Sequence, residues 1–189
     1  MPSSSNNIQI VFASLPEERD VENSAAKEFA LRAAEQFKAS AGKDDVELHH
    51  LADWNKDEFL TSSSGAEKAN SKQIVFLISC GPDGSVHRSV RKTTKWIKEQ
   101  EGKIQDETQS IPITAAVALL GHAVCKTSAE QMEDEIYSSG RRLAKAIQRI
   151  TNQPKSLDAP YLLETQIELE PPEEKFDGWI TSWVNLDVC

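Results

Sequence analysis

The sequence predicts an α/β protein with a doubly wound parallel sheet of five strands and helices on both faces. Short apolar, β-branched runs alternate with longer segments whose apolar residues recur at helical spacing, in the order βαβαβαβαβα. The runs at 8–13, 74–78 and 114–120 are apolar throughout, which is typical of central parallel strands. Strands that alternate with helices imply right-handed crossovers and therefore a helical layer on each face.

The individual elements follow from apolar spacing and from the residues that interrupt it. The strand pattern at 161–169 alternates enough for an edge strand, and Gly42 ends the first helix. The predicted strands cover 8–13, 46–51, 74–78, 114–120 and 161–169. The predicted helices cover 26–41, 53–60, 86–99, 129–150 and 176–183.

Length and charge limit the possible functions. With 189 residues, the chain is long enough for one domain with a full core, which we place at 8–189 after a flexible N-terminus at 1–7. The formal net charge of −9 argues against nucleic acid as a partner, because phosphates require a Lys- and Arg-rich surface. An acidic surface that serves only solubility and a docking surface for a basic partner both remain open.

The sequence also bears on the compartment. No apolar run approaches the ~20 residues that a membrane span requires, and the first residues lack the pattern of a signal peptide. The three cysteines, Cys80, Cys125 and Cys189, show neither a CxxC motif nor zinc-ligand spacing, so we expect no metal site. We therefore expect reduced thiols and a cytoplasmic protein without membrane contact.

The loops that follow the strands are the candidate binding sites, because open α/β sheets bind ligands at the carboxyl ends of their strands. The third strand ends in Ser79-Cys80 and a turn, Gly81-Pro82-Asp83-Gly84. That turn could equally be structural, since proline and glycine set its geometry whatever it binds. The fourth strand ends in Gly121-His122.

These motifs resemble those of the flavodoxin-like family. The turn at 81–84 and the helix after it are similar to the Gly-Asp-Gly loop of the FMN domains of diflavin reductases, of the cytochrome P450 reductase type. They are also similar to that loop in the flavodoxin-like domain of the tRNA wybutosine-synthesis enzyme. The segment 119–122 resembles their Leu-Gly-Asn loop, and 161–183 resembles their last strand and closing helix.

The resemblance implies a flavodoxin-like electron-transfer domain that binds FMN across three loops. It would work with a separate NADPH-dependent flavin reductase and a redox acceptor protein. The first loop would hold the phosphate, and the loops after the third and fourth strands would hold the ring. The cofactor-binding residues implied are Ser14, Asn23, Ser24, Ser79, Cys80, Gly81, Asp83, Gly84, Gly121, His122 and Cys125.

The loops also depart from that family, which leaves a second interpretation open. The first loop contains no glycine, and the segment 17–22 is acidic, which disfavours a phosphate. The loops after the third and fourth strands carry no aromatic residue that could stack on a flavin. The alternative is a degenerate flavodoxin-like domain that has lost FMN and acts as a protein-interaction or assembly module.

Other polar residues have structural interpretations at this level. We expect His49 and His50 to be strand residues on opposite faces without function, and His87 to be exposed. A catalytic thiol is conceivable at Cys80 or Cys125, and Cys125 is the better candidate because Lys126 lies beside it. No catalytic constellation stands out, so the sequence identifies no enzyme activity beyond an electron carrier.

Two sets of residues near the C-terminus also have structural interpretations. Trp179 and Trp183 are spaced for core packing. The glutamates from Glu164 to Glu174 form either a solvated acidic face or a docking patch for a basic redox partner.

Overall fold

The computed structural model describes residues 8–16, 24–41, 46–57, 72–101, 113–122, 135–151, 161–167 and 172–184. Five strands and four helices lie within these ranges. The strands are β1 (Ile8–Ala13), β2 (Val46–His50), β3 (Lys72–Cys80), β4 (Ile113–Gly121) and β5 (Leu162–Gln166). The helices are α1 (Ala25–Ala41), α2 (Arg88–Glu101), α3 (Ser138–Ile150) and α4 (Pro172–Val184).

The five strands form one parallel sheet in the order β2-β1-β3-β4-β5. The chain leaves β1 toward β2 on one side and returns to β3 on the other, so the direction of winding reverses between β1 and β3. In sheets of this kind, ligands bind at the carboxyl ends of the two strands between which the winding reverses, here β1 and β3. The order of the strands therefore supports the loops after β1 and β3 as candidate binding sites.

The two faces of the sheet carry separate cores, which confirms the predicted helices on both faces. Alternate residues of β3 point to opposite faces, so Phe76 joins one core and Leu77 the other. The first core includes Val90 of α2 and Leu143 of α3. Large side chains of α1 and α4 fill the second core: Phe29, Phe37, Phe176, Trp179, Ile180 and Trp183. The burial of Trp179 and Trp183 confirms the prediction that they are core residues.

Several boundaries differ from the prediction. β3 is longer than predicted, because its pairing with β4 continues to Cys80, and this places Ser79 and Cys80 in the strand rather than the loop. β5 lies at the edge of the sheet, as predicted. The predicted helix at 53–60 begins as turns, with the Trp54 N–H donating to the His50 carbonyl (3.0 Å), and its end lies outside the described residues.

Parts of other predictions also lie outside the described residues: the N-terminal segment 1–7, the start of the helix at 129–134, and the end of the strand at 168–169. The boundary of the single domain stays a prediction. Among the described helices, none combines the length and the apolar composition that crossing a membrane requires.

Candidate functional site at the carboxyl edge of the sheet

The carboxyl edge of the sheet brings together predicted residues from three strands. Cys80 of β3 lies opposite Gly121 of β4. The His122 N–H donates to the Cys80 carbonyl oxygen (2.9 Å), so the pairing of the two strands continues one residue further. Ser14 directly follows β1, the other neighbour of β3. The fold therefore places the predicted residues Ser14, Ser79, Cys80, Gly81, Gly121 and His122 along one edge.

The end of β1 carries a buried hydroxyl group without a partner. Ser14 is 1% exposed, and its Oγ atom makes no hydrogen bond among the described residues. A buried polar group that lacks a hydrogen bond costs about 1–3 kcal/mol. The Ser14 hydroxyl is therefore a donor that no described residue uses.

Ser24 begins the helix that follows this loop. Its carbonyl oxygen accepts the N–H groups of Lys27 (3.0 Å) and Glu28 (3.1 Å), and its Oγ accepts the Lys27 N–H at 3.3 Å. Ser24 is therefore an N-cap residue, and the first N–H groups of α1 form the positive end of the helix. Asn23 and the acidic segment 17–22, which the sequence assigned to the same loop, lie outside the described residues.

The turn after β3 is closed by its own hydrogen bonds. The Gly81 N–H donates to the Ser85 carbonyl (2.8 Å), and the Gly84 N–H donates to the Gly81 carbonyl (2.9 Å). The Ser85 N–H donates to Asp83 Oδ1 (3.0 Å), and hydrogen bonds from Ser85 hold the pKa of Asp83 below its usual value. The turn is therefore preformed, with the exposed Pro82 and the ionised Asp83 at its tip.

The glycines around this edge give close packing within the chain. Gly84 has a φ of +72°, a conformation that other residues rarely adopt, and a Cβ atom there would collide with the carbonyl oxygen of Glu135. A Cβ atom at Gly121 would lie 2.7 Å from Tyr137 Oη. The resemblance assigns these glycines to the FMN site, whereas in the structure residues just before α3 occupy the space beside them.

Ser79, Cys80 and His122 show different degrees of access. The Ser79 Oγ and His122 Nε2 atoms lie 3.4 Å apart, within hydrogen-bond distance, and only His122 is partly exposed. Burial raises the pKa of the Cys80 thiol to about 12, and Glu164 adds to this. Cys80 is therefore a protonated core residue, so the prediction that it could supply a catalytic thiol is wrong. Cys125, the preferred thiol, lies outside the described residues.

Two histidines at this edge form a contact that the sequence analysis missed. The His50 ring, at the end of β2, packs edge-on against the His87 ring (centroids 5.2 Å apart) and against Phe12 of β1 (5.4 Å). His87 is half-buried and lies 2.7 Å from Ser89 Oγ through Nδ1, so the prediction that it is exposed is wrong. His50 ends β2 and His87 lies in the connection between β3 and α2, so the shared location of both at the carboxyl ends of strands was the sequence signal that could have indicated their proximity.

Burial lowers the pKa of both histidines. For His50, burial outweighs the opposing effect of Asp53. For His87, burial acts together with the neighbouring His50 and with Arg88. A second proton on this pair is therefore unfavourable in the folded protein, and the rings are neutral at neutral pH.

An aromatic side chain and an ion pair lie behind the end of β4. The buried Tyr137 ring packs against Gly121, and the Arg141 guanidinium lies over that ring, 5.7 Å from its centroid. Arg141 binds both carboxylate oxygens of Glu164 on β5, at 2.6 and 2.7 Å. Glu164 is thus an ion-pair partner rather than a member of a free acidic face. Tyr137 is an aromatic residue near this edge outside both predicted loops, and its ring is buried within the chain.

The residues at this edge fit FMN, the cofactor that the resemblance implies, most clearly at its phosphate. The Ser14 hydroxyl, at the point where β1 ends, has no partner among the described residues and is a donor for an anion; the N-terminus of α1, the next helix in the chain, is a second. At β3 and β4, the turn at 81–84 and the partly exposed His122 offer a shaped edge for a ring.

No protein-family model and no curated protein matches this sequence. Solved structures do match over most of the chain. Flavodoxin 1 from Bacillus cereus, in its oxidised form, is 12% identical, with a TM-score of 0.56, covering 93% of this chain and 92% of that one. A flavodoxin from Fusobacterium nucleatum, bound to flavin mononucleotide, is 13% identical, with a TM-score of 0.51, covering 93% and 95%.

A third similar structure is a cysteine-to-serine mutant of flavodoxin from Pseudomonas aeruginosa. It is 16% identical, with a TM-score of 0.53, and the match covers 94% of this chain and 96% of that one. Identities this low establish the fold and leave the ligand open. The architecture of this chain is therefore that of the flavodoxins, as the motifs predict.

Proposed function

We propose that this protein binds FMN non-covalently at the carboxyl edge of its sheet and serves as an electron-transfer domain. The observation that carries the proposal is the buried Ser14 hydroxyl, which has no hydrogen-bond partner among the described residues and lies at the end of β1, the strand that precedes α1. A phosphate oxygen would accept its hydrogen bond and satisfy it. The likeness in fold to a flavodoxin bound to flavin mononucleotide supports the same ligand.

Each part of the edge has a role in this proposal. Ser14 and the first N–H groups of α1 would bind the phosphate, because a helix N-terminus favours an anion. The turn at 81–84 would lie along the ring and, because it is preformed, would need little ordering on binding. Ser79 and His122 would lie beneath the ring, with backbone contacts alone from the buried Cys80. The bound flavin would supply the redox chemistry.

The electrons would come from a separate NADPH-dependent flavin reductase and pass to an acceptor protein. This partnership, like the finer resemblance to diflavin reductases and to the wybutosine-synthesis enzyme, remains part of the proposal. The net charge of −9 would speed association with a basic partner at low salt. Exposed Glu173 and Glu174, in the first turn of α4, are available for such docking, whereas Glu164 is paired with Arg141.

One set of observations favours the alternative of a domain that has lost its cofactor. The N–H groups of Gly81, Gly84 and Ser85 all donate within the turn and are not free for a ligand. The space at Gly84 and Gly121 is also taken by the chain itself. Under this alternative, the edge would be a rigid surface for protein interaction or assembly.

A flavin titration separates the two functions. The protein is purified without added flavin, its visible spectrum is recorded, and FMN is titrated while flavin fluorescence is followed. The electron-transfer proposal predicts flavin absorbance or saturable quenching at micromolar protein. A colourless protein that leaves FMN fluorescence unchanged would favour the interaction module.

A further inference from the structure

The groove between α2 and α3 is lined by cations in a chain whose net charge is negative. It has a volume of about 290 Å³ and lies on the outer side of the helical layer that covers one face of the sheet. Its lining residues come from both helices: Arg91, Thr94, Lys95, Lys98, Ser139 and Arg142. None of these six is a carboxylate, so the groove is locally basic.

The sequence of α2 places these cations in one row. Arg91, Lys95 and Lys98 are spaced four and three residues apart, which puts them on one side of the helix, while Val90 and Ile97 are buried on the other. All three cations are exposed. Arg142, also exposed, extends the row across to α3.

Most of these charges have no carboxylate partner in the part of the chain that the structure describes. Lys95 Nζ lies 3.9 Å from Glu99, a long contact between exposed groups. Arg91, Lys98 and Arg142 make no ion pair with any described residue. Elsewhere in the described chain, by contrast, Arg32 pairs with Asp177 and Arg141 with Glu164. Unpaired cations in one groove repel each other, and an anion bound there relieves that repulsion.

We propose that this groove is a docking surface for an acidic segment of a partner protein. The cations supply charge complementarity, and the arginines can each bind a carboxylate through two N–H groups. The proposal does not depend on FMN binding, because no groove residue belongs to the carboxyl edge described above.

The dimensions favour a short acidic peptide over a larger polyanion. Seven residues of helix separate Arg91 from Lys98, so the row is about 10 Å long. That length is close to the Debye length at physiological salt, ~8 Å. Charges of a longer polyanion that extend beyond the row are screened from its cations and add little binding energy. Glu99 and Glu101 follow Lys98 at the far end of the row, so the cationic stretch of the helix is short.

A charge-reversal experiment tests the docking surface. A rhodamine-labelled oligoglutamate peptide is titrated with the protein in low-salt buffer, and binding is followed by fluorescence anisotropy. The test variant is Arg91→Glu with Lys98→Glu, and a milder variant carries glutamine at both positions. The matched control is Lys38→Glu with Lys175→Glu, which changes the net charge equally at exposed sites on the helices of the opposite face.

The proposal predicts that the test variant binds the peptide at least about tenfold more weakly, and that the glutamine variant is intermediate. The control should change affinity by less than about twofold. Equal losses in the test and control variants would overturn it, because net charge alone would then explain binding. Absence of peptide binding to the wild-type protein would also overturn it. So would tighter binding of a single-stranded oligonucleotide or of phosphatidylserine vesicles.

Discussion

The carboxyl ends of β1 and of β3 differ in how their polar groups are satisfied. At β1, the Ser14 hydroxyl is buried and has no hydrogen-bond partner among the residues that the structure describes. At β3, the turn from Gly81 to Gly84 satisfies its own N–H groups and is packed against the start of α3. The two strands are neighbours in the sheet, yet among the described residues of these two ends only the β1 end carries a buried donor that lacks an acceptor.

This difference assigns separate roles to the two ends. A ligand gains most where it satisfies a donor that the protein has already desolvated, since the cost of burying that donor is met before binding. It gains less where hydrogen bonds would first have to break. We therefore infer that the end of β1 provides most of the affinity for an anionic ligand. The ends of β3 and β4 would provide a preformed surface that the ligand's shape must match.

The largest expected effect comes from filling the space at Gly84. Gly84→Ala should lower the free energy of unfolding by about 3 kcal/mol, because the positive φ is strained for alanine and its Cβ meets the Glu135 carbonyl. The control is Gly178→Ala in α4, where a Cβ has open space. That change should raise the unfolding free energy by about 0.5–1 kcal/mol. Urea denaturation measures both, and equal effects would show that the turn is not tightly packed.

The ion pair behind β4 should contribute less. Arg141→Ala leaves the partly buried Glu164 without its two hydrogen bonds and should cost about 2 kcal/mol in unfolding free energy. Arg32→Ala removes the more exposed pair with Asp177 and should cost about 0.5–1 kcal/mol. If urea denaturation gave the reverse order, the end of β4 would be less rigid than the structure implies.

Removal of the Ser14 hydroxyl should affect binding rather than stability. Ser14→Ala should weaken FMN binding about tenfold, since one hydrogen bond to a charged oxygen is lost. The unfolding free energy of the ligand-free protein should stay the same or rise, because the hydroxyl has no partner among the described residues. Fluorescence titration and urea denaturation give the two values. A clear loss of stability without a change in affinity would assign Ser14 to the fold alone.

The smallest effect is expected from the histidine pair. His50 and His87 have pKa values lowered from 6.5, so the unfolded chain binds more protons than the folded one as the pH falls through that value. Stability should therefore decrease between about pH 7.5 and 5.5. Asp83 and Asp177 contribute only in more acidic solution, because their lowered pKa values start from 3.8. Urea midpoints for a His50→Gln, His87→Gln variant should depend less on pH in this window.

The fold was predictable because its main determinants are local. The fully apolar run at 74–78 marks the centre of the sheet, and helical spacing marks each crossover. The extension of β3 to Cys80 was not predictable, since it depends on pairing with Gly121 in another strand. The order of the strands in the sheet also arises only from tertiary packing.

The sequence predicted which residues lie at the candidate site, but it did not predict what each of them contacts there. The motifs identified the residues at the ends of β1, β3 and β4. They did not reveal that Gly84 packs against Glu135, that His50 meets His87, or that Tyr137 covers Gly121. Each of these contacts joins segments that are distant in sequence, so no local pattern records it.

The most direct test of the central claim compares FMN with riboflavin, which has the same ring and lacks the phosphate. Both are titrated against the wild-type protein by fluorescence quenching. If affinity resides at the end of β1, FMN should bind at least about tenfold more tightly than riboflavin. Equal affinities for the two flavins would contradict the account, because the ring end would then carry the binding.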